Sequence, residues 1–292
     1  MSPSRLEVVR AAVRREHTRA GHADPGADPR IGQLLRGVRR SWAARGRSRR
    51  QVEALIASSH GDSDAPTLRL VVDAIDAGTV RGARDAALVL VGFAGALRRS
   101  ELCRLVWGDA RSAADGLTLT LRASKTDHDA KGQAVGIPRV GGPLCPVAAL
   151  AAWKAALLAA GHTVGDADPV FRDVSRWGHA AAAPLHPGSV ARIVKRLVAT
   201  VPTEGLNEEL RRRLDPARYA GHSLRAGFVT TAAIEGKDIL DILMTTRHAE
   251  PRTVIDYVRT ERLAGRNAVR GALARPAEEP RLEDAPPSPV GG

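Results

Sequence analysis

Residues 86–102 read AALVLVGFAGALRRSEL, and this segment is predicted to build the centre of the core. Its first eleven residues are too apolar for a surface helix and too short to cross a membrane, which predicts a buried helix. Arg98 follows directly, and Glu101 lies three residues beyond it. Because residues i and i+3 share a face of a helix, Glu101 is expected to orient Arg98 at the core edge. An ordinary solvated ion pair explains this short pattern equally well.

The apolar periodicity changes beyond this helix. Residues 117–122 alternate between apolar and polar side chains, residues 124–127 have turn composition, and residues 134–138 are typical of a returning strand. The pattern predicts an antiparallel hairpin with Lys125 at its tip. The chain has only five lysines against 39 arginines. A lysine at this position therefore stands out, and its amine has proton-transfer chemistry that a guanidinium lacks.

Helical periodicity returns in the second half of the chain. Three segments carry it: 146–160, 186–201 and 204–214. With the buried helix and the hairpin, they predict a fold that is mainly α with a small antiparallel β-sheet.

Four further residues complete a suggestive set. Residues 221–225 read GHSLR, which places His222 three residues before Arg225. His248 stands nine residues before Tyr257, and Arg225 stands 32 residues before it. A His-x-x-Arg spacing alone has little weight in a chain so rich in arginine, and a surface or capping histidine explains it better.

The ordered set of Arg98, Lys125, His222, Arg225, His248 and Tyr257 resembles the tyrosine recombinases, also called the phage integrase family. The resemblance runs from about residue 64 to about residue 273, and both spacings before Tyr257 fit the family. It implies the DNA breaking-rejoining catalytic fold, no metal and no cofactor.

The chemistry of phosphate cleavage explains these residue types. Arg98 and Arg225 would clamp the phosphate oxygens through paired N–H bonds, while His222 and His248 would add donors. Tyr257 would attack the phosphorus, and the resemblance implies a 3′-phosphotyrosyl link with release of a 5′ hydroxyl. Lys125 is the expected general acid and His222 the expected base.

Tyr219 is the only rival nucleophile, because the chain has two tyrosines. It lies three residues before His222 in a turn-like segment and lacks the spacing of Tyr257, so packing against the helix start is its expected role. The remaining histidines show no metal-ligand spacing. Cys103 and Cys145 have apolar neighbours and are expected to be buried and reduced.

Composition points to a polyanionic partner. The formal net charge is +12 at pH 7, and aromatic residues make up only 3% of the chain. Double-stranded DNA held through its phosphates is therefore favoured over stacked single strands. No apolar run reaches spanning length and no signal region is evident, so we expect no membrane association and a cytoplasmic, nucleoid-associated location.

Three domain assignments follow from composition and resemblance. Residues 1–60 are expected to form a partial helical core-binding domain that clamps DNA, with helices over residues 5–19 and 31–45. Residues 64–273 would form the catalytic domain. The last segment, 276–292, holds five prolines and is expected to be disordered.

The set of residues predicts a site-specific recombinase or integrase that acts as a homotetramer on two DNA sites. The resemblance also allows for accessory DNA-bending proteins. Two alternatives stay open: a type IB-like topoisomerase with the same chemistry, and a catalytically inert DNA-binding remnant of a mobile element.

Overall fold

The computed structural model describes residues 2–44, 52–57, 67–122 and 132–247. The chain divides into two compact units, residues 1–52 and residues 53–292. The boundary lies before the predicted one at residue 60, because residues 53–57 bond within the second unit.

Over residues 2–44, the first unit forms two helices, α1 (Pro3–Arg19) and α2 (Pro29–Ala44), joined through a 3-10 turn over Pro25–Ala27. Both helices begin two residues earlier than predicted, because proline suits the first helical position. The Arg39 guanidinium bonds to the Glu7 carboxylate at 2.5 Å and ties α2 to α1.

Within the described part of the second unit, the chain is mainly α-helical with two small antiparallel sheets, which confirms the predicted fold class. Its helices are α3 (Thr67–Asp73), α4 (Val80–Ala94), α5 (Arg99–Arg104), α6 (Pro146–Ala159), α7 (Pro187–Ala199), α8 (Glu208–Arg213), α9 (Ser223–Ile234) and α10 (Ile239–Thr246). Its strands are β1 (Ala110–Ala113), β2 (Gly116–Leu121), β3 (Gln133–Pro138), β4 (Arg172–Val174) and β5 (Ala180–Pro184).

The predicted hairpin strands are present as β2 and β3, which pair antiparallel with Leu119 opposite Val135. Strand β1 adds a third member on the other side of β2, and β4 pairs with β5 in a separate sheet. Neither addition was predicted. Helix α8 is shorter than the predicted 204–214, because Gly205 has a φ of +77° and Asn207 caps the helix start.

The core lies around α4, which packs on α6. The middle of α4 is buried as predicted. Trp153 of α6 is fully buried and donates its indole N–H to the carbonyl of Val170 at 2.7 Å. The indole polar group is therefore satisfied inside an apolar environment.

A buried ion-pair network joins α4 to two neighbouring elements. Asp85 accepts from Arg84 at 2.7 Å and from Arg196 of α7 at 2.5 Å. Arg84 also donates to the carbonyl of Arg172 in β4 at 2.8 Å. These bonds hold α7 and β4 against the central helix.

Residues 53–57 form a strap along α9. The Leu55 N–H donates to the Ser223 carbonyl at 3.3 Å, and the Ala57 N–H donates to Thr231 Oγ1 at 2.9 Å. The carbonyl oxygen of Leu55 lies so close to Gly227 that a methyl group there would come within 2.0 Å of it. Only glycine therefore allows this approach.

Candidate active site

Arg98 lies in the turn between α4 and α5 rather than on a continuous helix. Helix α4 ends at Ala94, and Ala96 has a φ of +45°. Arg98 is the N-cap residue of α5, with extended backbone. Its side chain is 18% exposed, which places it at the edge of the core.

Glu101 orients Arg98, but through a different geometry from the predicted helical pair. Its Oε2 accepts the backbone N–H of Arg98 at 2.8 Å, and its Oε1 accepts the Arg98 guanidinium at 2.5 Å. This is the carboxylate half of a helix-capping arrangement. Burial raises the pKa of Glu101, but the bonds from Arg98 and the charge of Arg247 outweigh it, so the pKa lies below its usual 4.5. Glu101 is therefore ionised at neutral pH.

Arg225 joins the same turn from α9. It is 5% exposed and donates to the carbonyl of Ala96 at 2.7 Å and to the carbonyl of Thr246 at the end of α10. Arg98 donates to the next carbonyl along the chain, that of Arg247, at 3.3 Å. The two predicted clamp arginines, far apart in sequence, thus converge on consecutive peptide groups.

His222 stands at the N-cap of α9, one turn before Arg225. Burial lowers the pKa of His222 first, and the positive charges of Arg99, Arg225 and Arg98 lower it further. Although protein atoms surround part of the imidazole, the residue keeps enough accessible surface to count as exposed, and water weakens these effects without reversing their direction. The ring is therefore neutral at pH 7, which is the protonation state that a base requires.

Sequence reasoning missed Arg247. This residue ends α10 in the left-handed conformation, with a φ of 55°. Its guanidinium bonds to Glu101 Oε2 at 3.1 Å. The only local signal was its position beside His248, because nothing in the spacing predicts a contact with a carboxylate 146 residues earlier.

Three predicted site residues lie outside the described residues: Lys125, His248 and Tyr257. Their neighbours in sequence are described. Arg122 follows β2 and bonds to buried Asp109 at 2.5 Å, and Arg247 directly precedes His248.

Tyr219 is buried, with 1% of its surface exposed. Burial raises its pKa well above the usual 10, with the charge of Glu53 adding to the effect. A phenol that is inaccessible and hard to ionise is a poor nucleophile. The expected packing role therefore fits this residue.

Helix length, the arrangement of metal-binding residue types and the cysteines are the remaining features of the described residues. No helix among them is both long and apolar enough to cross a membrane. They contain no group of three His, Cys, Asp or Glu residues arranged to hold a metal ion. Cys103 and Cys145 are buried free thiols, as expected, and burial raises the pKa of Cys103 to about 12.

Comparison with known proteins identifies the relatives of the chain. No protein-family model matches it. The integrase/recombinase XerD homolog of Selenomonas ruminantium is 35% identical over 205 residues, which make up 70% of this chain and 55% of the relative. The crystal structure of XerA recombinase matches with a TM-score of 0.50 at 18% identity, over 94% of this chain and 85% of that chain. The latter likeness concerns the fold.

The mainly α-helical fold with small antiparallel sheets is the fold shared with XerA recombinase. The similarity to the XerD homolog supports membership of the tyrosine recombinase family, also called the phage integrase family. The chain spans about half the length of the curated relative, 55%.

Proposed function

We propose that the chain is a site-specific DNA recombinase or integrase that cleaves and rejoins DNA through a covalent 3′-phosphotyrosyl intermediate. The observation that carries the proposal is the convergence of Arg98 and Arg225 on the carbonyls of Arg247 and Thr246, beside a neutral His222. Two guanidinium groups held at one place suit the non-bridging oxygens of a phosphodiester.

In the proposed reaction, the phenol oxygen of Tyr257 bonds to phosphorus and the bond from phosphorus to the 5′ oxygen breaks. His222 takes the phenol proton, and Lys125 gives a proton to the leaving 5′ oxygen. His248 adds a hydrogen bond to the phosphate. A second DNA 5′ hydroxyl then reverses these steps on a new strand, so no energy source is consumed.

The proposed partner is double-stranded DNA, with four copies of the chain assembled on two sites and room for accessory DNA-bending proteins. Charge supports this partner, because helix α2 carries four arginines and no carboxylate. We assign DNA clamping to the first unit and catalysis to the second. If the substrate is chromosomal DNA, the proposed reaction also implies a cytoplasmic, nucleoid-associated location.

The test uses nicked suicide duplexes cut from the DNA that flanks the gene, with a label on the strand that lies on the 5′ side of the break and ends in the 3′ phosphate. The unaltered chain should form a labelled covalent adduct that survives denaturing gels. Tyr257→Phe should form none, whereas Tyr219→Phe should form it at the ordinary rate if it folds. An adduct in Tyr257→Phe would refute the assigned nucleophile.

The two alternative functions predict different products. A catalytically inert DNA-binding remnant would bind the duplex and form no adduct. A topoisomerase would form the adduct and relax supercoiled plasmid without moving strands between two sites. Transfer of the labelled strand from one duplex to another is the result that the recombinase proposal requires.

A further inference from the structure

Arg247 contacts the predicted phosphate site through both its backbone and its side chain. Its carbonyl accepts a hydrogen bond from Arg98 Nη2 at 3.3 Å, while its own Nη2 donates to Glu101 Oε2 at 3.1 Å. Its Nη1 donates to the carbonyls of Thr245 at 2.7 Å and Gly95 at 3.3 Å. One residue therefore joins the end of α10 to the turn that carries Arg98.

This arrangement has two unfavourable features. The Arg247 side chain is 7% exposed, so a charged group is taken out of water. The left-handed backbone, with a φ of 55°, is unfavourable for a non-glycine residue. Glycine would adopt the same backbone without that cost. What glycine lacks is the guanidinium and its bonds to Glu101 and Gly95.

The shared carboxylate explains what the guanidinium does. Glu101 Oε1 holds the Arg98 guanidinium, while Oε2 accepts both the Arg98 N–H and Arg247. Without Arg247, the backbone N–H of Arg98 would be the remaining donor to Glu101 Oε2, and the Glu101 carboxylate could rotate about χ3. The Arg98 guanidinium would turn with it.

We propose that Arg247 is a positioning residue: it fixes Glu101 so that the Arg98 guanidinium meets a DNA phosphate in one orientation. The inference rests on the proposed function, in which Arg98 is a phosphate ligand. Arg247 itself touches neither the phosphate nor the reacting atoms in this account.

The kinetic test replaces Arg247 by glycine, which keeps the backbone conformation and removes the guanidinium. At saturating duplex, the rate of adduct formation should fall by roughly 10- to 100-fold, the effect of misplacing a catalytic contact by about 1 Å. DNA affinity should change little, because the duplex is held through many other phosphates. The Arg247→Lys variant should also form the adduct more slowly, because an ammonium cannot donate to Glu101 and Gly95 with the planar geometry of a guanidinium.

A double-mutant cycle separates positioning from a general loss of structure. In an Arg98→Ala chain, the further change Arg247→Gly should leave the remaining cleavage rate unaltered, because Arg247 acts through Arg98. If the two substitutions instead reduce the cleavage rate by independent factors, Arg247 does not act through Arg98 and the inference is wrong. Should Arg247→Gly fail to fold, Arg247→Lys completes the same cycle.

A second readout does not depend on cleavage. The Nε–H resonance of Arg98, assigned by its loss in Arg98→Lys, should shift or broaden in Arg247→Gly. If the unaltered chain forms no adduct, the proposed function fails, and this spectrum still decides whether Arg247 positions Arg98. An unchanged Arg98 resonance would refute the positioning role even in a chain that cleaves DNA.

Discussion

Replacing Glu101 by glutamine should destabilise the second unit through the two arginines that the carboxylate holds. Glu101 is 4% exposed and lies within 3.1 Å of Arg247 and 2.5 Å of Arg98. Breaking a fully buried ion pair costs about 3 to 5 kcal/mol. The Arg98 side chain is 18% exposed and the glutamine oxygen still accepts a hydrogen bond, so we expect a loss of about 2 to 3 kcal/mol.

The loss of stability in Glu101→Gln should be larger at neutral pH than in acid. The pKa of Glu101 is lowered below its usual 4.5 in the folded chain, so its contribution is complete above pH 4.5 and disappears as pH falls through the folded pKa. Glutamine resembles the protonated acid. The difference in free energy of unfolding between the two chains should therefore be largest near pH 7 and shrink in acid.

Urea unfolding followed by far-UV circular dichroism measures this difference at each pH. Glu209→Gln is the matched control, because Glu209 pairs with Arg212 at the same i,i+3 separation but on the surface. It should change stability by less than about 0.5 kcal/mol. Equal losses in the two variants, or a loss in Glu101→Gln that persists in acid, would refute this account.

Two further substitutions test the packing beside the site and its electrostatics. Gly227→Ala should lower the free energy of unfolding in urea by about 3 kcal/mol, because the new methyl group would lie 2.0 Å from the Leu55 carbonyl oxygen. The control Gly37→Ala has open space around its new methyl group and should raise the free energy of unfolding by about 0.5 to 1 kcal/mol, so equal effects would contradict the close approach at Gly227. Arg99→Gln should raise the pKa of His222 toward 6.5 in an NMR titration of the ring and move the acid limb of cleavage to higher pH. An unchanged titration would show that Arg99 does not act on His222.

Hydrophobic periodicity within short segments predicted the secondary-structure elements that depend on neighbouring residues. The apolar run gave rise to the expectation of a buried helix, and α4 is buried across its middle. The alternating segment and the returning segment form β2 and β3. The ordered resemblance to the tyrosine recombinases, rather than any single spacing, selected Arg98, His222 and Arg225, and the structure brings the two arginines together on consecutive carbonyls.

The pairing of Arg98 with Glu101 was predicted, but its geometry was not. Ala96 has a positive φ, and Arg98 is the N-cap residue of α5 instead of a residue within a helix. The carboxylate therefore bonds to the backbone of Arg98 as well as to its guanidinium. A short window could not predict this, because the turn is held by Arg225, which is 129 residues from its acceptor Ala96.

Arg247 and the strap were missed for the same reason. Both make their decisive bonds to residues distant in sequence, Glu101 for Arg247 and Thr231 for Ala57. Neither contact follows from propensity or periodicity, which describe only neighbours along the chain.

The strap also decides where a separately expressed fragment of the second unit should start. A fragment cut at residue 64, the domain start that sequence analysis favours, would lose Leu55 and Ile56, which are 0% and 1% exposed. It would leave an apolar slot along α9, open to solvent, beside the helix start that carries His222. Such a fragment should be prone to aggregation, and one that begins at Glu53 should be the soluble choice for crystallisation and spectroscopy.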